Sequence, residues 1–315
     1  MRSDFKVKPM KLFVTGGGGM VGRNLLENNP DPRNYVIQTN SSSELNLLDY
    51  MAVRQYLADA SPDVIVHCAG RVGGIQANIK SPYDFCFENL QMGLNLVRAA
   101  KELGVRKFIN LSSSCAYPRN YQNPLKEEYT LKAELEPTNE GYALAKLSVL
   151  KLCEYISTQY PEFQYKTLVP CNLYGRFDKF GEENSHMIPG VIKKIHEAKI
   201  AKRKEVVIWG DGLARREFMY CGDLSQCIFR AIDNFDTLPL LMNVGIGTDY
   251  TINEYYDAIK KIIEFDGHFA HDLSKPVGMK QKLLDVSRQK EWGWMPRTTL
   301  VEGIRKTYDY YLKGI

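Results

Sequence analysis

Short apolar runs alternate with longer amphipathic stretches through the first 170 or so residues of the chain. The apolar runs have strand length, and we predict strands at residues 11–14, 35–37, 64–68, 108–111 and 166–169. The stretches between them predict helices at residues 20–28, 51–60, 83–103 and 142–159. This alternation is typical of βαβ units, so we expect an α/β fold with a doubly wound parallel sheet that is covered on both faces.

The alternation of short apolar runs and amphipathic stretches ends after Tyr174, and residues 175–185 form a polar, loop-like stretch. Beyond it we predict a helix after Pro189, strands at residues 206–209 and 242–245, and a helix at residues 251–265 that opens with a threonine cap. We therefore expect a nucleotide-binding domain of residues 10–175 and 219–247. A smaller, discontinuous substrate domain would comprise residues 176–218 and 248–315.

Composition narrows the class of protein without indicating its function. The chain has 315 residues, of which 44% are hydrophobic and 25% charged, as in ordinary globular proteins. Its net charge of +4 is too small to indicate a nucleic-acid partner, and it has no apolar run long enough to span a membrane. The seven cysteines include no C-x-x-C pair or zinc-type spacing, so we expect no metal, reduced thiols and a cytoplasmic location.

A glycine-rich loop follows the first predicted strand and opens the first predicted helix. Gly16, Gly19 and Gly22 are spaced as G-x-x-G-x-x-G, and Met20 and Val21 lie in the same turn. Such a loop lets the backbone approach a pyrophosphate, while the amides of the helix N-terminus face its negative charge. The spacing and its context predict a Rossmann-type dinucleotide site.

The residues after the second predicted strand bear on the choice of nicotinamide cofactor. Residues 39–43 contain no acidic side chain that could bind the adenosine ribose hydroxyls, which favours NADPH. They also contain no arginine for a 2′-phosphate, so NADH is not excluded. Arg23 on the first helix is an alternative source of positive charge, or simply a solvated helix residue.

A serine and a Y-x-x-x-K motif supply candidate chemistry at the end of the fourth predicted strand. Ser113 follows that strand, and Tyr142 and Lys146 share one helix face at i, i+4 spacing. A tyrosine with a pKa of about 10 exchanges protons poorly at neutral pH unless a cation stabilises its phenolate. With the glycine loop, this set resembles the extended short-chain dehydrogenase/reductase superfamily, which acts on nucleotide sugars.

The resemblance extends to the GDP-L-fucose synthase family across nearly the whole chain. The segments that carry it are SSCAYP at 113–118, EPTNEGY at 136–142, NLYG at 172–175, NSHMIP at 184–189 and REF at 216–218, with ELNLLD at 44–49, VGGI at 72–75 and KLLDV at 282–286. The pairing of Cys115 with the Asn-Ser-His segment is the most specific of these. The resemblance implies NADPH-dependent reduction of a GDP-4-keto-6-deoxy sugar at C4, with epimerisation at C3 and C5.

The same resemblance implies a role for each matching residue. Cys115 would be the base and His186 the acid of epimerisation, and both groups titrate within reach of neutral pH. Tyr142 would donate a proton to O4, Lys146 would tune Tyr142 and hold the ribose, and Ser113 would bind the keto oxygen. The expected cofactor-binding residues are Gly16, Gly19, Met20, Val21, Gly22, Ser42, Ala69, Tyr142, Lys146, Asn172 and Leu173. The expected GDP-binding residues are Lys194, Trp209, Arg216 and Lys282.

Some positions depart from the family pattern. Gly17 and Gly18 stand where the family has a His-Arg pair, and Ser42 stands where it has an arginine. Both basic contacts to a 2′-phosphate are therefore missing. Gly141 replaces a proline and Lys194 replaces an arginine, which are milder changes.

Three other functions use the same residues. The protein could be a C4-reductase of a GDP-4-keto-heptose with little or no epimerase activity, a nucleotide-sugar epimerase with tightly bound NAD, or a non-catalytic NADP-binding protein. The intact Ser, Tyr and Lys set argues against the last. The two long helices predicted at residues 83–103 and 142–159 suggest a homodimer.

Overall fold

The computed structural model describes residues 8–181, 185–275 and 278–314. Its strands are β1 (Met10–Thr15), β2 (Tyr35–Gln38), β3 (Val64–His67), β4 (Lys107–Leu111), β5 (Gln164–Pro170), β6 (Asn172–Tyr174), β7 (Glu205–Trp209), β8 (Arg215–Arg216), β9 (Phe218–Tyr220), β10 (Leu241–Val244), β11 (Tyr250–Thr251), β12 (His268–Asp272) and β13 (Gln281–Lys282). Its helices are α1 (Met20–Glu27), α2 (Tyr50–Ala60), α3 (Ile75–Lys80), α4 (Pro82–Glu102), α5 (Glu140–Gln159), α6 (Met187–Ile200), α7 (Cys221–Asp233), α8 (Ile252–Ile263), α9 (Ser287–Glu291) and α10 (Leu300–Leu312).

Six of the described strands form one parallel sheet in the order β10-β5-β4-β3-β1-β2. The predicted doubly wound α/β fold is confirmed, and each strand predicted up to residue 169 lies in this sheet, as does the one predicted at 242–245. Alternate residues of β1 belong to two separate apolar clusters, with Leu12 and Val14 in one and Phe13 in the other. Because alternate side chains of a strand point to opposite faces, each face of the sheet has its own core.

The four helices predicted between the early strands are present as α1, α2, α4 and α5, with small changes in their bounds. Helix α3 was not predicted, because six residues are too few for a clear amphipathic period. Helix α6 begins at Met187, so the prediction that it follows Pro189 is wrong by three residues. A proline is tolerated in the first turn, where the amides have no helical partner.

A further apolar cluster lies among the later elements. It includes Ile188 and Ile195 of α6, Ile259 of α8 and Ile304 of α10, each almost fully buried. Thr251 caps α8 through a capping box with Glu254, which confirms the predicted threonine cap.

Three general features of the described residues bear on function. No helix among them is both long enough and apolar enough to cross a lipid bilayer. All seven cysteines lie in this part of the chain and are free thiols. Nowhere in it do three or more His, Cys, Asp or Glu side chains gather in a way that could hold a metal ion.

Candidate active site

The glycine loop forms a cradle in which backbone packs against backbone. A Cβ at Gly16, whose φ is +70°, would lie 2.8 Å from the Cα of Ala69, and one at Gly22 would lie 2.4 Å from the carbonyl oxygen of Gly16. The hydroxyl of Thr15 accepts hydrogen bonds from the amides of Cys68 and Ala69 at 3.1 Å, which ties the ends of β1 and β3 together. Gly19 precedes α1, so the free amides of Met20 and Val21 open that helix at the cradle.

The carboxyl end of β2 offers polar groups beside this cradle. Gln38, Thr39 and Asn40 each have a buried oxygen without a hydrogen-bond partner among the described residues. Thr39 packs so closely on Gly17 that a Cβ there would overlap its side chain, whereas Gly18 borders open space. Unpartnered buried oxygens next to a glycine cradle fit the hydroxyl-rich adenosine end of a dinucleotide.

Ser42 and Arg23, the two residues that could bind the 2′-phosphate of a cofactor, have different surroundings. Ser42 is exposed on the loop that follows β2. The guanidinium of Arg23 stacks on the ring of Phe177 at 4.0 Å from its centroid. Arg23 therefore packs on an aromatic ring in the part of the chain that the structure describes.

Ser113, Tyr142 and Lys146 meet at the carboxyl end of β4. Tyr142 lies in the first turn of α5, and its hydroxyl interacts with the side chain of Ser113. Burial, together with the neighbouring Cys115, raises the pKa of Tyr142 despite that interaction. Lys146 is buried one turn further on, donates to the carbonyl of Leu111 at 3.0 Å, and lies 5.9 Å from the centroid of the Tyr142 ring. Burial lowers the pKa of Lys146 to about 8.

These surroundings favour a protonated Tyr142. Because burial raises the pKa of Tyr142 above its usual value, the phenol keeps its proton at neutral pH. Tyr142 is therefore suited to donate a proton.

Cys115 lies in the short 3₁₀ turn Ser114–Ala116 that follows β4. Its Sγ receives hydrogen bonds from Asn139 Nδ2 at 3.2 Å and from Lys282 Nζ at 3.5 Å. Burial alone would raise the pKa of this thiol, but the charge of Lys282 and the bonds from Ser113, Lys282 and Asn139 outweigh it, and the pKa is lowered. The site therefore favours the thiolate of Cys115.

His186 precedes α6 and is paired with a buried carboxylate. Its Nδ1 lies 3.4 Å from Oδ1 of Asp178, whose side chain is 4% exposed, whereas that of His186 is 39% exposed. Because a carboxylate can only accept, the contact requires the proton on Nδ1 and leaves Nε2 for other partners. Asn184, the first residue of the same motif, lies outside the described residues.

The four residues predicted to hold GDP fall into two groups. Lys194 of α6 donates to the carbonyl of Val207 on β7, and Trp209 at the end of β7 is half exposed beneath the ammonium of Lys275. Arg216 and Lys282 are register partners in the parallel pair β8 and β13. Their charges both act on Cys115, which the sequence did not indicate.

Glu217 was missed as a site residue although its motif was recognised. Its buried carboxylate accepts from the amides of Gly247 at 2.8 Å and Leu284 at 3.0 Å, and its carbonyl accepts from the side chain of Asn172 at 2.9 Å. Burial raises the pKa of Glu217 to about 7. Glu217 thus joins the strands that carry Asn172, Arg216 and Lys282.

A glycine cradle at the edge of a parallel sheet, with Ser, Tyr and Lys at the end of a neighbouring strand, defines a nucleotide-dependent enzyme of the extended short-chain dehydrogenase/reductase class. The model of the NAD dependent epimerase/dehydratase family matches residues 12–245. A GDP-L-colitose synthase of Yersinia pseudotuberculosis is 53% identical over 303 residues, which cover 96% of this chain and 98% of that protein. A GDP-L-fucose synthase of Azorhizobium caulinodans is 47% identical and covers 98% of each chain.

Solved structures give the same result for the fold. A GDP-6-OMe-4-keto-L-xylo-heptose reductase from C. jejuni is 28% identical and superposes with a TM-score of 0.92, covering 98% of this chain and 99% of that one. MlghC, a GDP-mannoheptose C4 reductase from Campylobacter jejuni with NADP bound, is 29% identical with a TM-score of 0.87, covering 97% and 99%. The chain belongs to the NAD-dependent epimerase/dehydratase family and, within it, to the GDP-L-fucose synthase family. The family predicted from the sequence is confirmed.

Proposed function

We propose that this protein is an NADPH-dependent oxidoreductase that reduces C4 of a GDP-4-keto-6-deoxy sugar and also exchanges protons at carbons next to the keto group. The observation that carries the proposal is that Ser113 lies beside both groups: its Oγ accepts from the backbone amide of Cys115 at 3.2 Å, and its side chain interacts with the hydroxyl of Tyr142. A proton donor for reduction and a thiolate for carbon acid chemistry therefore face the same small space.

The reduction uses Tyr142, Ser113 and Lys146. When bound, the reduced nicotinamide supplies the hydride that C4 accepts. The Ser113 hydroxyl donates to the keto oxygen and stabilises the charge that develops there. Tyr142, which burial keeps protonated, donates its proton to O4, and the Lys146 ammonium offsets the phenolate that remains.

The proton exchange uses Cys115 and His186. A keto group at C4 acidifies the C–H bonds on C3 and C5, because loss of either proton gives an enolate. The Cys115 thiolate accepts one such proton and becomes a thiol, and His186 returns a proton to the opposite face of the carbon. Asp178 accepts from Nδ1 and orients the ring, so that the doubly protonated His186 can give up the proton on Nε2.

We assign the cofactor site to the glycine cradle. Gly16, Gly19, Met20, Val21, Gly22 and Ala69 would hold the pyrophosphate and ribose, Ser42 would lie near the 2′ position, and Tyr142, Lys146, Asn172 and Leu173 would lie near the nicotinamide. The polar end of β2 without a carboxylate supports NADPH, as does the NADP in MlghC. We keep NADH as the alternative cofactor, because the basic residues that bind a 2′-phosphate in the family are replaced here by Gly17, Gly18 and Ser42.

The choice of sugar rests on the relatives. The 53% identical relative is a GDP-L-colitose synthase and the 47% identical one a GDP-L-fucose synthase, so we propose a hexose substrate. L-Colitose lacks the C3 hydroxyl of L-fucose, so with a 3-deoxy substrate only C5 has a configuration to invert. A GDP-4-keto-heptose C4-reductase is the second candidate, favoured by the TM-score of 0.92 to a heptose reductase.

A substrate panel tests the proposal. The protein is mixed with GDP-4-keto-6-deoxymannose, its 3-deoxy analogue or a GDP-4-keto-heptose, with NADPH and NADH in parallel, and nicotinamide oxidation is followed. We expect the fastest oxidation with a hexose and NADPH. Oxidation with the heptose alone would favour the second candidate, and no oxidation with any sugar would refute the reductase. Release of an epimerised sugar without net oxidation would indicate the remaining alternative, an epimerase with tightly bound NAD.

The substrate site and the assembly are also proposals. The separate apolar cluster of α6, α8 and α10 supports a discontinuous substrate domain of residues 176–218 and 248–315, where Lys194, Trp209, Arg216 and Lys282 would hold GDP. Exposed apolar side chains on α4 and α5, including Tyr83, Phe87 and Tyr155, support a homodimer through these helices. Light scattering of Phe87→Arg against the wild type tests this. The seven free thiols fit a cytoplasmic location.

A further inference from the structure

The Sγ atom of Cys115 is contacted by two nitrogen donors from distant parts of the chain. Asn139 Nδ2 lies 3.2 Å away, and Lys282 Nζ, 167 residues along the sequence, lies 3.5 Å away. Lys282 is only 9% exposed. A neutral thiol is a weak acceptor, whereas a thiolate is a strong one, so two donors on one sulfur favour the ionised form.

The surroundings of Lys282 point to the same pairing. None of the ion pairs found among residues 8–181, 185–275 and 278–314 includes Lys282. A buried ammonium is costly unless an anion lies beside it. The sulfur of Cys115 lies at that position, and its thiolate would supply the missing negative charge.

Other charged and titratable groups around Cys115 come from each neighbouring element. Arg216 on β8 is the register partner of Lys282 and interacts electrostatically with both Cys115 and Glu136. Tyr142 on α5 is uncharged when protonated, and a thiolate at Cys115 keeps it so. The net charge facing the sulfur is therefore positive, and the pKa of Cys115 is lowered accordingly.

We propose that Lys282 is the positioning residue that holds Cys115 as a thiolate in the free protein, with Asn139 as the second donor. The proton on Cys115 is then already lost to solvent before a substrate arrives, so no other base has to remove it. The consequence for epimerisation rests on the proposed function, but the ionisation of Cys115 does not.

The test measures the ionisation of the Cys115 thiol directly. Alkylation of Cys115 by iodoacetamide is followed across pH in the full-length protein without substrate, and the labelled peptide is quantified by mass spectrometry. In Lys282→Met the midpoint of the profile should rise by about one pH unit or more, which lowers alkylation near neutral pH about tenfold. Lys282→Arg should restore most of the wild-type profile, because it keeps the charge.

Lys280→Met is the matched control. It removes the same charge from an exposed residue two positions away, so its profile should match the wild type. The proposal is overturned if Lys282→Met leaves the midpoint in place, or if Lys280→Met moves it equally.

Asn139→Asp provides a second variant that does not depend on replacing a buried lysine. It is isosteric, and aspartate is favourable at the position just before α5. Its carboxylate beside Sγ should raise the midpoint further, and an unchanged midpoint contradicts the role of Asn139. The difference in thiolate absorbance between wild type and Cys115→Ser gives the same midpoint without a reagent. A low midpoint in a protein that exchanges no substrate protons would refute the proposed function and leave this inference intact.

Discussion

Tyr142 and Cys115 both lie beside Ser113, yet their surroundings shift their pKa values in opposite directions. Burial raises the pKa of Tyr142, and the same effect at Cys115 is outweighed by donors and positive charge. The difference lies in what the two lysines contact. Lys146 donates to the Leu111 carbonyl and lies over the tyrosine ring, whereas Lys282 donates to the sulfur itself.

Such opposed shifts separate acids from bases within one site. A tyrosine whose pKa is raised holds the proton that it can give to O4, and a cysteine whose pKa is lowered more readily forms the thiolate that can take one from carbon. The two chemistries therefore need not compete for the same group. Substitutions that remove one chemistry and spare the other test this separation.

Tyr142→Phe should have the largest effect. It removes the proton donor to O4, so NADPH oxidation should fall by about a thousandfold or more, while deuterium exchange from heavy water into the keto sugar continues. The control is Tyr155→Phe, an exposed tyrosine of the same helix, which should retain wild-type rates. Equal loss of oxidation and exchange in Tyr142→Phe would mean that the two chemistries are not separable.

Cys115→Ser should show the converse pattern. A serine hydroxyl is a far weaker base than a thiolate, so deuterium exchange should fall by about a hundredfold or more before the reduction of C4 is affected. Cys86→Ser, at a partly buried thiol of α4, serves as the matched control. Exchange that persists in Cys115→Ser would assign the base to another residue.

Asp178→Asn should reduce exchange less than Cys115→Ser. The amide carries no negative charge to stabilise a doubly protonated His186, which is the form that can give up the Nε2 proton, and we expect up to about a hundredfold loss of exchange with little change in the KM for NADPH. Mass spectrometry of sugar quenched at early times measures the loss. A rise in the KM for NADPH with unchanged exchange would indicate that Asp178 only supports the fold.

The pH dependence of reduction should show the smallest effect. Because burial lowers the pKa of Lys146 to about 8, its ammonium is present below that pH and is lost as the pH rises through it. We therefore expect kcat/KM for NADPH to fall above about pH 8, and the fall should move to higher pH in Lys146→Arg. Identical profiles for the two proteins would show that the charge of Lys146 does not control this step.

Local patterns indicated the residues of the proposed reductive half of the site, and their roles stay predictions. Gly16, Gly22, Tyr142 and Lys146 were identified from spacing alone, because a strand, a turn and one helix face place them. The partners of the other half were not predictable in this way. Lys282 reaches Cys115 across 167 residues and was assigned to the nucleotide, a role that stays a prediction.

The two carboxylates that were missed, Asp178 and Glu217, have a different cause. Asp178 lies eight residues before His186, and Glu217 lies directly beside Arg216, so both were near recognised motifs. A carboxylate in a polar loop gives no periodic signal, and its burial is visible only once the chain is folded. An acidic residue near a candidate histidine was the one available sign.

The most direct test of the account is the wild-type reaction of GDP-4-keto-6-deoxymannose with NADPH in heavy water, with deuterium located in the product by NMR. We predict deuterium at an epimerised carbon next to C4, protium from the cofactor at C4, and loss of the carbon label in Cys115→Ser. A reduced product that carries no deuterium at either neighbouring carbon would contradict the account.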